Sequence, residues 1–154
     1  MLCVECTFCG LASGELKSFK VYESTEVFAC LDINPAVPGH VILFPKKHYT
    51  FLSQLSSNEL LELFEAATKI SFSLLSLGYE GVNLIHSIGE AAGQRSTHLL
   101  LHIIPRRKGD KVTLAWEPSK VDEESLMKIQ QQLVTKLQSK KEPREIKERP
   151  PSYW

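Results

Sequence analysis

No apolar run in this chain reaches the roughly 18 residues a membrane-spanning helix needs, so no transmembrane helix is expected. The first residues lack a basic stretch followed by an apolar one. A secretory leader is therefore not expected, and a cytoplasmic setting is. Neither sign of charge prevails, since 18 Lys and Arg balance 18 Asp and Glu. Without a net field, neither a nucleic acid nor a membrane surface is an expected partner. No internal repeat is visible. Cysteine is scarce: Cys3, Cys6, Cys9 and Cys30 are all there is. Three of them crowd between positions 3 and 9. That spacing suits metal binding better than a disulfide framework.

What is present reads as one α+β domain over residues 1–139, followed by a tail at 140–154. At 154 residues one core can form. Val27 to Leu31 and Val41 to Phe44 read as strands joined by the turn chemistry of Val37-Pro38-Gly39, a hairpin. Ser56 with Glu59 resembles a capping box. Leu60, Leu63, Phe64, Ala67, Ile70, Leu74 and Leu77 then recur at helical spacing, and Gly78 supplies a stop. Gly81 to Ser87 reads as a third strand, Ile88 to Arg95 as a loop, and Leu99 to Ile104 as a fourth strand. A second helix opens at Asp122 or Glu123 with Leu126, Ile129, Leu133 and Leu137 on one side. From Lys140 onward the chain is charged, contains proline and has little to bury, so it is expected to be partly disordered.

The most informative stretch is Gly93-Gln94-Arg95-Ser96-Thr97-His98-Leu99-Leu100-Leu101-His102-Ile103-Ile104-Pro105. Alternation in a strand places residues 98, 100 and 102 on one face, which then reads His, Leu, His. A buried imidazole is costly unless paired. The pair is either two satisfied core histidines or part of a site.

Three ordered blocks make the chain resemble the histidine triad (HIT) superfamily. They are Cys6-Thr7-Phe8-Cys9, the run Asp32 to His48 containing Pro35, Pro38-Gly39-His40 and Pro45-Lys46-Lys47-His48, and Gly93-Gln94 with His98, His102 and Pro105-Arg106. The resemblance spans about residues 3 to 140. It implies a HIT-like fold: an antiparallel sheet of about five strands with two helices, in a homodimer whose two sheets join. Leu100 stands where the family has its middle, nucleophilic histidine.

Two-residue spacing lets Cys6 and Cys9 bite one ion, and zinc suits thiolate with imidazole. By resemblance, Cys6, Cys9, His48 and His98 close a structural Cys2His2 zinc site. Cys3 is a spare ligand at the same spacing. The same residues also read as reduced thiols and solvated histidines. Cys30, in an apolar strand, reads as a small core residue. The resemblance further implies a purine mononucleotide such as AMP or GMP. Asp32 would take the ribose hydroxyls, and Phe8 and Ile33, with Leu31 and Ile42, the base. Asn83, Gly93, Gln94, Arg95 and His102 would lie around the phosphates. Core packing is the competing reading for the apolar members. Arg95 stands where the family usually has serine or threonine.

Leucine has no lone pair, so it cannot attack phosphorus. His98 and His102 lie two strand residues away, roughly 6.6 Å. A reacting atom must come within about 3–3.5 Å. The expectation is a nucleotide-binding protein with lost or strongly reduced phosphoramidase or dinucleoside polyphosphate hydrolase activity. Two alternatives stand beside it. One is an active hydrolase or nucleotidyl transferase, with Leu100 introduced or another nucleophile used. The other is a non-catalytic dimeric scaffold.

Overall fold

The fold is described from a computed structural model over residues 6–139. Cys3 and the expected tail at 140–154 lie outside the described residues. The chain divides into two compact units after Val112.

The first unit is built on five antiparallel strands: β1 (Lys20–Glu23), β2 (Val27–Leu31), β3 (Val41–Pro45), β4 (Gly81–Ile85) and β5 (Leu101–Arg106). Their order across the sheet is β1-β2-β3-β5-β4, which leaves β4 at an edge. The β2–β3 hairpin pairs Leu31 with Val41 and Val27 with Pro45. Its connection turns at Gly39, whose φ of +95° is open to glycine and strained for other residues. Added carbon there would also meet the Tyr79 hydroxyl at 2.7 Å.

Helix α2 (Ser57–Ser76) follows the expected capping box. Ser56 accepts from the Glu59 amide, and the Glu59 carboxylate accepts from the Ser56 amide. Its Leu63, Ala66, Ala67, Ile70 and Leu74 form one buried stripe, as the 3.6-residue period requires. They cover the sheet face carrying Val27, Ala29, Val41, Leu43, Leu101 and Ile103. The opposite face carries Phe28, Cys30, Ile42 and Phe44. Against it pack Leu100 and the Phe8, Leu11 and Ala12 of a short helix, α1 (Thr7–Ser13).

The sheet is therefore the expected α+β core, with differences at the margins. Helix α1 and strand β1 are additional to the elements read from sequence. β5 begins at Leu101, not Leu99. The Leu99 amide donates instead to the Tyr49 carbonyl, which takes the chain out of the ladder. The alternation of faces persists through this stretch all the same: Leu99 joins the α2 side, and Leu100 the other.

In the second unit, α3 (Glu123–Gln138) is capped by Asp122, whose carboxylate accepts from the Ser125 amide at 2.8 Å. Glu123 and Glu124 in its first turn and Lys136 in its last complement the helix dipole. Among the described residues no helix is long and apolar enough to cross a membrane.

Candidate functional site

Two polar clusters sit on the sheet side opposite α2. The first gathers Cys6, Cys9, His48 and His98, whose ligand atoms all lie within 4.8 Å of one another. Cys6 caps α1 and Cys9 falls three residues later, so the helical turn brings the thiols to one side. His48 follows β3 and His98 precedes β5. The separations are 3.4 Å from Cys6 Sγ to His98 Nδ1, 3.7 Å from Cys9 Sγ to His98 Nδ1, and 3.4 Å from Cys9 Sγ to His48 Nδ1.

Tetrahedral zinc, with sulfur at about 2.3 Å and nitrogen at about 2.0–2.1 Å, separates a sulfur and a nitrogen ligand by about 3.5 Å. The observed spacings match. The tautomer also fits. His98 Nε2 lies 2.7 Å from the Pro45 carbonyl. A carbonyl only accepts, so Nε2 carries the proton and Nδ1 turns its lone pair toward the thiols. Burial pushes the His98 imidazole down to about 4, and nearby His48 pushes the same way, while the Pro45 carbonyl opposes them. It stays neutral, as a ligand must. The rings of Phe8 and Phe44 lie against it at centroid distances of 5.8 and 5.3 Å and exclude water. These four residues could hold a metal ion.

The second cluster runs through Asp32, His40 and His102. The Ala36 amide donates to His40 Nδ1 at 3.1 Å, so the His40 proton resides on Nε2. That Nε2–H donates to His102 Nδ1 at 3.0 Å. His102 in turn carries its proton on Nε2. Desolvation lowers the proton affinity of both imidazoles; the Asp32 carboxylate, 3.7 Å from His40 Nδ1, opposes it for both. The result is a fixed donor.

Other sequence-selected residues take varied places. Leu100 sits partly buried among the apolar side chains of this face. Asp32 Oδ1 accepts from the Asn34 amide at 2.8 Å. Phe8 packs edge-on against Phe44 at 5.3 Å, while Ile33 is 79% exposed. Asn83 lies on β4 opposite Ile104, and its Oδ1 accepts from Arg106 at 2.6 Å, so that oxygen is already engaged. Gly93 closes the loop at φ +87°. Gln94 pins that loop, accepting from the Gly89 amide at 2.7 Å and donating to the Thr50 and Ser96 carbonyls. Arg95 is exposed.

Two further histidines had no role assigned from sequence: His40, which stands in the second family block, and His86, on another strand whose position sequence does not give. His40 belongs to the same face as His102 because β3 and β5 pair Ile42 with His102; knowing that register would have flagged it. His86 follows β4 directly. Its Nδ1 lies 3.0 Å from the Leu100 carbonyl, so Nδ1 carries the proton. Its Nε2 is buried and, among the described residues, unpartnered. An acceptor left so costs about 1–3 kcal/mol.

Comparison with known proteins decides the family. The HIT domain profile matches residues 13–109. The chain belongs to the HIT family. A HIT-like protein of Methanocaldococcus jannaschii is 38% identical over 124 residues, covering 80% of this chain and 96% of that one. An adenosine 5′-monophosphoramidase of Saccharomyces cerevisiae is 28% identical over 134 residues, 86% of this chain and 83% of that protein. Among solved structures, a HIT family member from Bacillus subtilis superposes with a TM-score of 0.80 at 32% identity, covering 88% of this chain and 99% of that one. A zinc-bound HIT protein from Mycobacterium smegmatis gives a TM-score of 0.67 at 30% identity, covering 86% and 98%. The antiparallel sheet and its helices are thus the HIT fold.

Proposed function

We propose that this HIT protein binds a purine mononucleotide such as AMP or GMP and has lost, or strongly reduced, nucleotidyl hydrolysis and transfer. The observation that carries the reading is Leu100. It occupies the middle of the His98–His102 face and packs against the cluster of Phe28, Cys30, Ile42 and Phe44, with no lone pair to offer phosphorus. The binding groups remain. Asp32 keeps its second oxygen for ribose hydroxyls, and Phe8 and Ile33 offer apolar surface to a base. In this reading the phosphates lie near Gly93, Gln94, Arg95 and Asn83, with Gln94 shaping the loop and the Asn83 oxygen held by Arg106. His102 Nε2–H, held by His40, donates to an anionic oxygen without reorganising.

Cys6, Cys9, His48 and His98 hold one structural zinc in this reading; its spacing and tautomers support it, as does the zinc in the mycobacterial relative. The ion supplies cross-linking rather than chemistry. A homodimer with a continuous sheet belongs to the same proposal. β4 is an edge strand with Leu84 exposed, and α2 turns Leu61, Phe64, Phe72 and Leu75 outward.

Calorimetric titration with AMP and GMP, alongside an AMP-lysine turnover assay, tests the function. Binding in the micromolar-to-millimolar range, roughly 4–8 kcal/mol, with feeble turnover is expected. Leu100→His should raise turnover. Ordinary rates, near about 10 s⁻¹, in the unaltered chain overturn the loss. Absence of nucleotide binding overturns the site.

A further inference from the structure

Cys6 and Cys9 stand in a geometry that serves a second chemistry besides ligation. The Gly10 amide donates to the Cys6 carbonyl at 3.1 Å, so the helical turn is formed from Cys6 onward. Residues three apart along such a turn have Cα atoms about 5 Å apart, inside the range of about 4.4–6.8 Å that a disulfide spans. The Cys6 side chain makes no cap hydrogen bond to α1, so its sulfur can turn without unwinding the helix. Both sulfurs already converge on one atom: His98 Nδ1 lies 3.4 Å from Cys6 Sγ and 3.7 Å from Cys9 Sγ. The two sulfurs are within 4.8 Å of each other, and both residues are half-buried, within reach of a small solute. Cys30 differs: it is 3% exposed and sits in β2 among Phe28, Ile42 and Phe44.

We propose that Cys6 and Cys9 are a redox modification site: a peroxide joins them as a disulfide, the joined pair no longer holds the metal, and α1 is loosened from the sheet. The inference rests on the structural zinc of the preceding subsection. One sulfur attacks the peroxide. A sulfur–oxygen bond forms, the oxygen–oxygen bond breaks, and the departing oxygen leaves as water. The second sulfur then attacks the first. A sulfur–sulfur bond forms, and the sulfenic oxygen leaves as a second water. Protons come from the thiols, or from solvent where the metal has already displaced them. The two sulfurs together lose two electrons, and one peroxide is reduced to two waters. Ligation needs a thiolate, so the disulfide withdraws two of the four ligands, and His48 with His98 cannot close the tetrahedron zinc requires. α1 has seven residues and none is buried. Its remaining hold is the apolar contact of Phe8, Leu11 and Ala12 with the face carrying Phe28, Cys30, Ile42 and Phe44. A disulfide inside one turn does not replace the cross-link to the sheet, because stabilisation by a disulfide grows with the loop it closes.

The test uses the full unaltered chain, purified with its metal and treated with hydrogen peroxide in slight excess. Released zinc is read with a chromogenic chelator. Thiols and disulfides are read by alkylation, intact mass and peptide mapping, and α1 by hydrogen exchange and melting temperature. A reduced sample stripped with a strong chelator is the reference. The expected result is loss of two hydrogens per chain, a Cys6–Cys9 bridge with Cys30 still a thiol, and one zinc released per bridge. Melting temperature and α1 exchange should match the stripped reference. A dithiol reductant with zinc should restore the starting state, which separates the bridge from methionine oxidation. A bridge that uses Cys3 in place of Cys6 or Cys9, or thiols that survive peroxide until the protein unfolds, overturns the proposal and leaves the zinc site standing. So does a Cys6–Cys9 bridge in protein that keeps its zinc. Absence of zinc before treatment overturns the zinc site and this inference together.

Discussion

Lowering the pH from 7 to 4.5 should destabilise the metal-free protein through His98. The ring is fully buried, its Nε2–H is committed to Pro45 and its Nδ1 faces two thiols. Burial is the main reason its pKa falls from 6.5 to about 4. Above pH 6.5 both folded and unfolded chains hold it neutral, and its full contribution to stability is present. As pH falls below 6.5 the unfolded chain takes the proton first. Stability then drains away until the folded ring also protonates near pH 4. At about 1.4 kcal/mol per unit, the whole gap is worth roughly 3 kcal/mol. By pH 4.5 about 2.5 kcal/mol of it is gone. His40 and His102, lowered chiefly by burial, act in the same direction. With a urea m-value of about 1–3 kcal/mol/M, the unfolding midpoint of chelator-treated protein should drop by roughly 1–2 M between the two pH values. An NMR titration of the imidazole assigns the effect to His98. A His98 ring that titrates near 6.5, or a midpoint that does not move, would refute the reasoning.

Other perturbations act on single, separable features. Treatment with a strong chelator should lower the melting temperature of protein purified with its metal, since a ligand at about 100 times its Kd adds about 2.7 kcal/mol; elemental analysis showing no zinc before treatment would count against it. Leu63→Ala, at a fully buried position of α2, should cost about 2–5 kcal/mol in urea unfolding; a loss under 1 kcal/mol would mean that the α2 interface is looser than described. Gly39→Ala forces a side chain into φ +95° and onto the Tyr79 hydroxyl, which donates to the Pro38 carbonyl. About 1–3 kcal/mol of stability should go with it, read by thermal melting.

Much of this architecture could be read from residue order because its signals are local. Ser56 and Glu59 announce the start of α2, and the leucine and alanine spacing announces its buried face. The alternation from His98 to Ile103 assigns each residue to a face even where the ladder itself is not formed. Cys6 and Cys9 declare themselves by spacing, and His48 and His98 through the family's ordered blocks. Helix α1 gave no such signal: it has seven residues, none buried, and no side-chain cap. It is too short to be stable alone, so its place depends on tertiary contacts. The His40–His102 bond joins residues 62 apart. The His86 contact depends on where the β4–β5 ladder stops. Both are consequences of strand register, which periodicity within one segment does not carry.

The cysteine–histidine cluster also sets an order of events in the life of the chain. Its members are 39 residues apart between Cys9 and His48, and 92 apart between Cys6 and His98. On a ribosome the two thiols emerge early and wait for most of the domain to be made before their last partner appears. Loop-closure entropy rises only slowly with length. The wait therefore adds little thermodynamic penalty, but it makes the cluster a late checkpoint: the thiols find both imidazoles only when β3 and β5 lie side by side. An ion captured there would lock α1 to a sheet already assembled, as a disulfide does for a secreted domain. A chain cut short before His98 would keep the thiols and lose the clasp.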